Sequence, residues 1–224
     1  MKIAYIFSGH SRTWQQCCDS FFENVYAENP GDIFIHTWNK VNSRFGSHWN
    51  GMKLTEEQRR IADTESDING ITKAFRPKQL LVEEDPSLYV NESDIGYSSL
   101  FCDFLLKSSK TAFNMMKAYA NYDYVFHSRL DVKHTSKINL RTLDRSCFHI
   151  TNICKNSDSK AYDFCSFGSI DDMDKKTEFV KYHRQYIHDV FSNSAYEMGL
   201  YKYLIENQME VRKLPIDFYP VRLF

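Results

Sequence analysis

The stretch from Lys2 to Trp38 restricts the fold more than any other part of the chain. Ile3-Ala4-Tyr5-Ile6-Phe7 is a continuous apolar run, the pattern of a strand buried on both faces. Ser8-Gly9-His10-Ser11 reads as a turn. From about Thr13 to Ala27, Trp14, Cys17, Cys18, Phe21, Phe22 and Val25 recur at helical spacing. Asn29-Pro30-Gly31 ends that helix, and Asp32–Trp38, DIFIHTW, reads as a second strand. A strand, a helix and a strand joined by short turns predict a right-handed parallel crossover, and with it an α/β sheet flanked by helices.

The rest of the chain extends that pattern. Asn39 to Asn69 is polar and weakly periodic, an excursion over the sheet edge in which Thr55 and Gln58 have the spacing of a helix cap. Gln79–Glu83 is a third strand and Glu84 to Ser98 a polar loop. Leu100, Phe101, Phe104, Leu105, Ala112, Met115, Met116 and Tyr119 trace one face of a long helix ending near Asn121. Short strands are expected at Tyr124–His127, Phe148–Thr151 and Phe164–Phe167. Helices follow from Asp171 or Asp172 to about Tyr186 and over Tyr196–Ile205. A last strand covers Glu210–Leu214, before an aromatic tail from Pro215 onward. His183 and His188, on the polar helix, read as solvated.

The 224 residues suit one domain, with a core large enough to need no disulfide staples. The net charge is −1 with both signs interspersed, and a nucleic-acid partner would call for a basic stripe. No apolar run of ~18 residues occurs, so no transmembrane segment is expected, and the start MKIAYIFSGH reads as a strand rather than a signal peptide. Cys17, Cys18, Cys102, Cys147, Cys154 and Cys165 form no CxxC pair and have apolar neighbours. They read as buried, reduced thiols in a cytoplasmic protein.

The chemistry concentrates in Tyr122–Lys133, YDYVFHSRLDVK. A short apolar strand leads into Ser128-Arg129-Leu130-Asp131, and ligands of open α/β sheets bind at the carboxyl ends of the strands. Strand side chains alternate, so Arg129 and Asp131 project to the same side. A guanidinium suits a phosphate and a carboxylate suits a divalent metal such as Mn²⁺ or Mg²⁺. The plain alternative is a surface salt bridge at a strand end. His127 and His134 flank the pair, but zinc requires a denser ligand set.

Five blocks in order, KIAYIFSGHSRTW, DIFIHTW, YDYVFHSRLDV, YDFCSFGSIDDM and SAYEMGLYKYLIENQMEVRKLPIDFYPVR, resemble the small GT-A type glycosyltransferases of bacterial surface-polysaccharide clusters and of large DNA viruses of algae. The resemblance covers nearly the whole chain. It implies one GT-A-like (Rossmann-like) domain over residues 1–224, with a nucleotide-sugar-binding half at 1–130 and an acceptor and catalytic half at 131–224. It further implies a nucleotide-diphosphate sugar donor, a glycan or glycoconjugate acceptor, and a metal at the central acidic motif, here on Asp131. By position, Ser8, Gly9 and Arg12 would line the donor pocket, with Gly9 permitting close backbone approach. His36, Thr37 and Trp38 would meet the nucleobase or ribose, although Trp38 equally fits a core position. One departure is plain: the family's D-x-D is here Arg129-Leu130-Asp131, so either the single carboxylate binds metal weakly or Arg129 takes over part of the metal's charge.

An inverting transferase also needs a general base for the acceptor hydroxyl. Asp163 is the first candidate and Glu197 the second, with Asp171 behind them; a carboxylate at a helix start also serves simply as a cap. Absence of G-x-G-x-x-G after a strand, of G-x-x-x-x-G-K-[ST] and of G-x-S-x-G argues against dinucleotide, P-loop and α/β-hydrolase enzymes. The remaining competitor is a catalytically inert nucleotide- or carbohydrate-binding domain of the same fold.

Overall fold

The computed structural model describes residues 1–42, 55–89, 97–154, 160–188 and 195–221; within these, side chains are described except at 97–101, 152–154, 160, 162–163, 188 and 195. A seven-stranded sheet runs in the order β3 (Gln79–Glu83), β2 (Asp32–Trp38), β1 (Ile3–Ser8), β4 (Tyr124–Arg129), β7 (Lys160–Ser169), β6 (Phe148–Cys154) and β8 (Val211–Lys213). β3, β2, β1 and β4 are mutually parallel. β7 is antiparallel to both β4 and β6, and β8 is parallel to β6. Only β7 therefore points against the rest, and the expectation of a mostly parallel sheet between helices holds.

Side-chain alternation along β1 shows why the apolar run is continuous. Ile3, Tyr5 and Phe7 face one layer, with Trp14, Cys18 and Phe21 of α1 (Trp14–Phe21) and Ile71 and Phe75 of α3 (Ile68–Phe75). Ala4 and Ile6 face the other layer, built from α4 (Tyr97–Tyr119), α5 (Ile170–His188) and α6 (Ala195–Glu206). Each large apolar side chain buried this way contributes about 1.5–3 kcal/mol, so both layers hold the strand in register.

The first crossover ends as its residues dictate. Past Phe21 the helix widens to a π turn over Phe22–Tyr26, closed by the Ala27 amide donating to the Phe22 carbonyl at 2.9 Å. The Asn29 amide donates to the Val25 and Ile138 carbonyls, both at 2.7 Å, while its oxygen accepts from the Leu140 amide. A Cβ on Gly31 would collide with the Ile3 carbonyl, so only glycine admits the approach to β2.

Other expectations need amendment. The capped helix at Thr55 is present as α2 (Glu56–Ala62), with the full reciprocal Thr55–Gln58 box. The rest of the Asn39–Asn69 excursion lies partly outside the described residues, as does much of the Glu84–Ser98 loop. No element was expected between Asn69 and Gln79, where most of α3 stands, and the aromatic tail holds a strand, β9 (Phe218–Pro220), antiparallel to β5 (Val132–His134). His183 is not solvated. It is buried and lies 2.5 Å from Asp103 of α4, because α5 is packed between α4 and α6 rather than lying on the surface. His188 is outside the described side chains. Cys17, Cys18, Cys102, Cys147 and Cys165 are buried free thiols. Among the described residues no helix is long and apolar enough to cross a membrane.

Candidate active site at the carboxyl ends of β1 and β4

Parallel register places Ser8 at the end of β1 beside Arg129 at the end of β4. Over these two strand ends lies a small pocket, with about 20 Å³ of room for water-sized groups, lined by Ser8, Gly9, His10, Arg12, Trp38, Phe104, Leu105, Arg129 and Asp131. The turn after β1 shapes its floor. Gly9 has φ +104, a backbone state that L side chains rarely adopt, and a Cβ there would point into open space. Its amide donates to Ser108 Oγ at 2.8 Å and its carbonyl accepts from Thr37 Oγ1 at 2.8 Å. Arg12 also has positive φ (31) and donates its amide to the Val41 carbonyl, which turns its side chain inward.

Asp131 organises the cations. Arg129 Nε donates to Asp131 Oδ1 at 2.9 Å and Arg129 Nη2 to Oδ2 at 2.5 Å, a bidentate pair. Arg12 Nη1 donates to the same Oδ2 at 3.0 Å, and Arg12 Nε to Asn42 Oδ1. Arg129 also lies over the Phe164 ring at 5.2 Å, which fixes its plane. All three charged side chains are nearly sealed from water, with Arg129 the most open at 10%. The wall thus carries two guanidiniums against one carboxylate. Arg129 Nη1 has no hydrogen-bond partner among the described residues, leaving a donor available for an anion.

Two buried chains of hydrogen bonds set the polarity of the floor. A lysine ammonium can only donate, so Lys176 Nζ donates to His127 Nδ1 at 3.2 Å and His127 Nε2 donates to Ser8 Oγ at 2.8 Å. The Ser8 hydroxyl hydrogen is then available to the pocket. On the other side, burial lowers the His36 pKa against the pull of Glu83, so the ring is neutral. Its Nε2 donates to Glu83 at 3.1 Å, and Nδ1 accepts from Ser108 Oγ at 2.6 Å.

A second imidazole faces the pocket itself. His10 Nε2 lies 3.1 Å from Asp85 Oδ2, and Asp85 is fully buried. The Ser87 amide donates to Asp85 Oδ1 at 2.8 Å, and the Asp85 amide donates to Asn39. Burial pulls the His10 pKa below its ordinary value despite Asp85. Burial alone would raise the Asp85 pKa, but the hydrogen bonds from His10 and Ser87 hold it below the usual range. The pair is therefore a neutral imidazole on an ionised carboxylate.

Of the residues singled out in the sequence, Ser8, Gly9, Arg12, Trp38, Arg129 and Asp131 meet at this pocket. Trp38 is buried, as its core alternative expects, and also lines the pocket. His36 and Thr37 are fully buried one layer below, where they hold Ser108 and Gly9. Glu197 does not line the pocket; it is buried close to Cys102 of α4. The Asp163 side chain lies outside the described residues. His10 and Asp85 were not foreseen: no spacing joins them, and only the H-S-R run after the first strand hinted at polar density there.

The donor set at Asp131 does not fit a divalent cation. Both carboxylate oxygens already accept from guanidiniums, and no cluster of three or more His, Cys, Asp or Glu suited to a metal occurs among the described residues. Compared with known proteins, the chain matches no family model, and no curated protein is significantly similar to it.

Proposed function

We propose that the chain is a nucleotide-sugar-dependent glycosyltransferase of GT-A-like fold, acting in the cytoplasm and moving one sugar from a nucleotide-diphosphate sugar to a glycan hydroxyl. The observation that carries this reading is the pair Arg12 and Arg129, gathered on Asp131 at the ends of β1 and β4 beside the donating Ser8 hydroxyl. Breaking the sugar–diphosphate bond builds negative charge on the leaving group, and fixed cations in a water-poor site stabilise it without reorganisation. Arg129, through its available Nη1, and the Ser8 hydroxyl would hold the diphosphate. Arg12 would add its charge, and Trp38 would form the wall against the nucleoside. The positively charged wall takes the place of a metal, and Asp131 aligns the two cations instead of ligating an ion. On this reading residues 1–130 supply most of the donor pocket, and the acceptor approaches from the side of residues 131–224.

Thermal unfolding with UDP-, GDP-, dTDP- and CMP-sugars tests this, each with Mn²⁺ or with EDTA, on wild type and Arg129→Ala. A donor at about 100 times its dissociation constant stabilises by ~2.7 kcal/mol. The expected result is a shift with one diphosphate sugar, equal in Mn²⁺ and EDTA and lost in Arg129→Ala. A shift without release of nucleoside diphosphate over long incubation would instead favour an inert binding domain of the same fold. No shift with any donor would remove the proposal.

A further inference from the structure

The transferase reading leaves open which group takes the proton of the attacking hydroxyl, and the pocket contains a group built for it. We propose that His10 is the catalytic base, with Asp85 as its positioning residue; this rests on the proposed function of the same site. His10 lines the pocket beside Arg12, Arg129 and Asp131, and its Nε2 is committed to Asp85 at 3.1 Å. Its Nδ1 has no hydrogen-bond partner among the described residues, so the lone pair on that nitrogen is open to a substrate proton. Asp85 in turn is fixed by the Ser87 amide and by the Asp85–Asn39 bond, and it holds the ring in the Nε2–H tautomer. Among the described residues, the carboxylates near this pocket offer no equal. Asp131 accepts from two guanidiniums, Asp85 is sealed behind the ring, and Glu197 is buried and does not line the pocket.

The step balances as a single displacement. The acceptor oxygen forms a bond to the anomeric carbon as the bond from that carbon to the diphosphate oxygen breaks. The bonding pair leaves on the diphosphate, whose charge the arginines offset, and the hydroxyl proton passes to His10 Nδ1. The resulting imidazolium is stabilised by Asp85 and later loses its proton to water. The product anomer is inverted relative to the donor.

The groups acting on His10 are Asp85 from the loop after β3, Arg12 on its own turn, Asp131 from the β4–β5 turn and His36 on β2. With burial, their balance keeps the ring unprotonated to below its ordinary range. Turnover should therefore be level near neutrality and fall on acidification, in a limb belonging to His10. Removing the Asp85 charge moves that limb to still lower pH.

The test is release of nucleoside diphosphate from UDP-, GDP- and dTDP-sugars with water in the acceptor's place, in wild type, His10→Gln and Asp85→Asn. Donor binding is measured by calorimetry on the same samples. The expected result is a loss of about a hundredfold or more in His10→Gln, with the donor dissociation constant kept within about threefold, the scatter expected of context. Asp85→Asn should lose rate and displace the acidic limb downward. Should His10→Gln not fold, the limb in wild type and its displacement in Asp85→Asn decide the matter. Undiminished release in His10→Gln, or donor binding lost together with rate, overturns the base assignment and leaves the transferase standing. A wild type that neither binds nor cleaves any of these donors removes the transferase reading itself, and the base with it.

Discussion

Asp131 sits between two guanidiniums with its side chain only 2% exposed, and buried charge is costly when its partner is removed. Asp131→Asn keeps the shape but leaves Arg12 and Arg129 facing each other without their counter-charge. The expected loss of stability is about 3–5 kcal/mol, read from the urea midpoint at constant m-value. Inorganic pyrophosphate should restore part of that loss in Asp131→Asn more than in wild type, because an anion then takes the place of the carboxylate. An unchanged urea midpoint would show that the carboxylate does not hold the arginines together. Arg129 and Asp131 were legible because they stand at and just past the end of a recognisable apolar strand, whereas Ser8, Gly9 and Arg12 were singled out by the family resemblance. His10 and Asp85 were not: their meeting depends on β1 and β3 being aligned across β2, a register that single-strand patterns do not encode. Glu197 shows the reverse, since a helix-start carboxylate looks available in sequence while in the fold it is buried and does not line the pocket.

Among the elements, α3 is the one most dependent on a local device. Asp67 accepts from the Gly70 amide at 2.8 Å, and Arg76 in the left-handed conformation closes the helix by donating to Thr72. Ile71 and Phe75 then reach the core beneath α1. Asp67→Ala should cost ~1 kcal/mol, with faster amide exchange confined to residues 68–75; exchange unchanged there would mean that packing alone secures the helix. The I-x-x-I-x-x-x-F spacing with its cap was present in the sequence, but it straddles the end of the polar Asn39–Asn69 stretch and spans barely two turns. The longer elements were readable because their period repeats over several turns, as in α4. Strand direction was not: alternation identifies β7 as a strand without saying that it alone runs against the sheet.

The molecule as a whole holds several imidazoles in neutral form. His134 is fully buried among Phe21 and Phe126, and burial lowers its pKa to about 3; burial lowers those of His10 and His36 as well. An unfolded chain protonates these rings from about pH 6.5 downward, while the folded chain resists. The unfolded state therefore binds more protons, and stability falls with falling pH throughout that window, for His134 down to about 3. Each such histidine contributes a slope of up to ~1.4 kcal/mol per pH unit. Urea unfolding at a series of pH values between about 7 and about 5 should show the decline, and His134→Leu should make it shallower. A flat profile would mean that these rings are protonated in the folded state.

The strand β9 adds a temporal consequence to this architecture. The Val221 amide donates to the Asp131 carbonyl at 2.7 Å, and the Val221 carbonyl accepts from Thr13 Oγ1 at 2.7 Å. These bonds tie the turn that carries Asp131 to the start of α1, with chain that is synthesised long after both. A ribosome that has delivered residues 1–214 has supplied both arginines and their carboxylate, but not the clasp that fixes where they stand. Because domains form as cooperative units once their distant contacts exist, the pocket is fixed only after residues 218–221 have joined the chain.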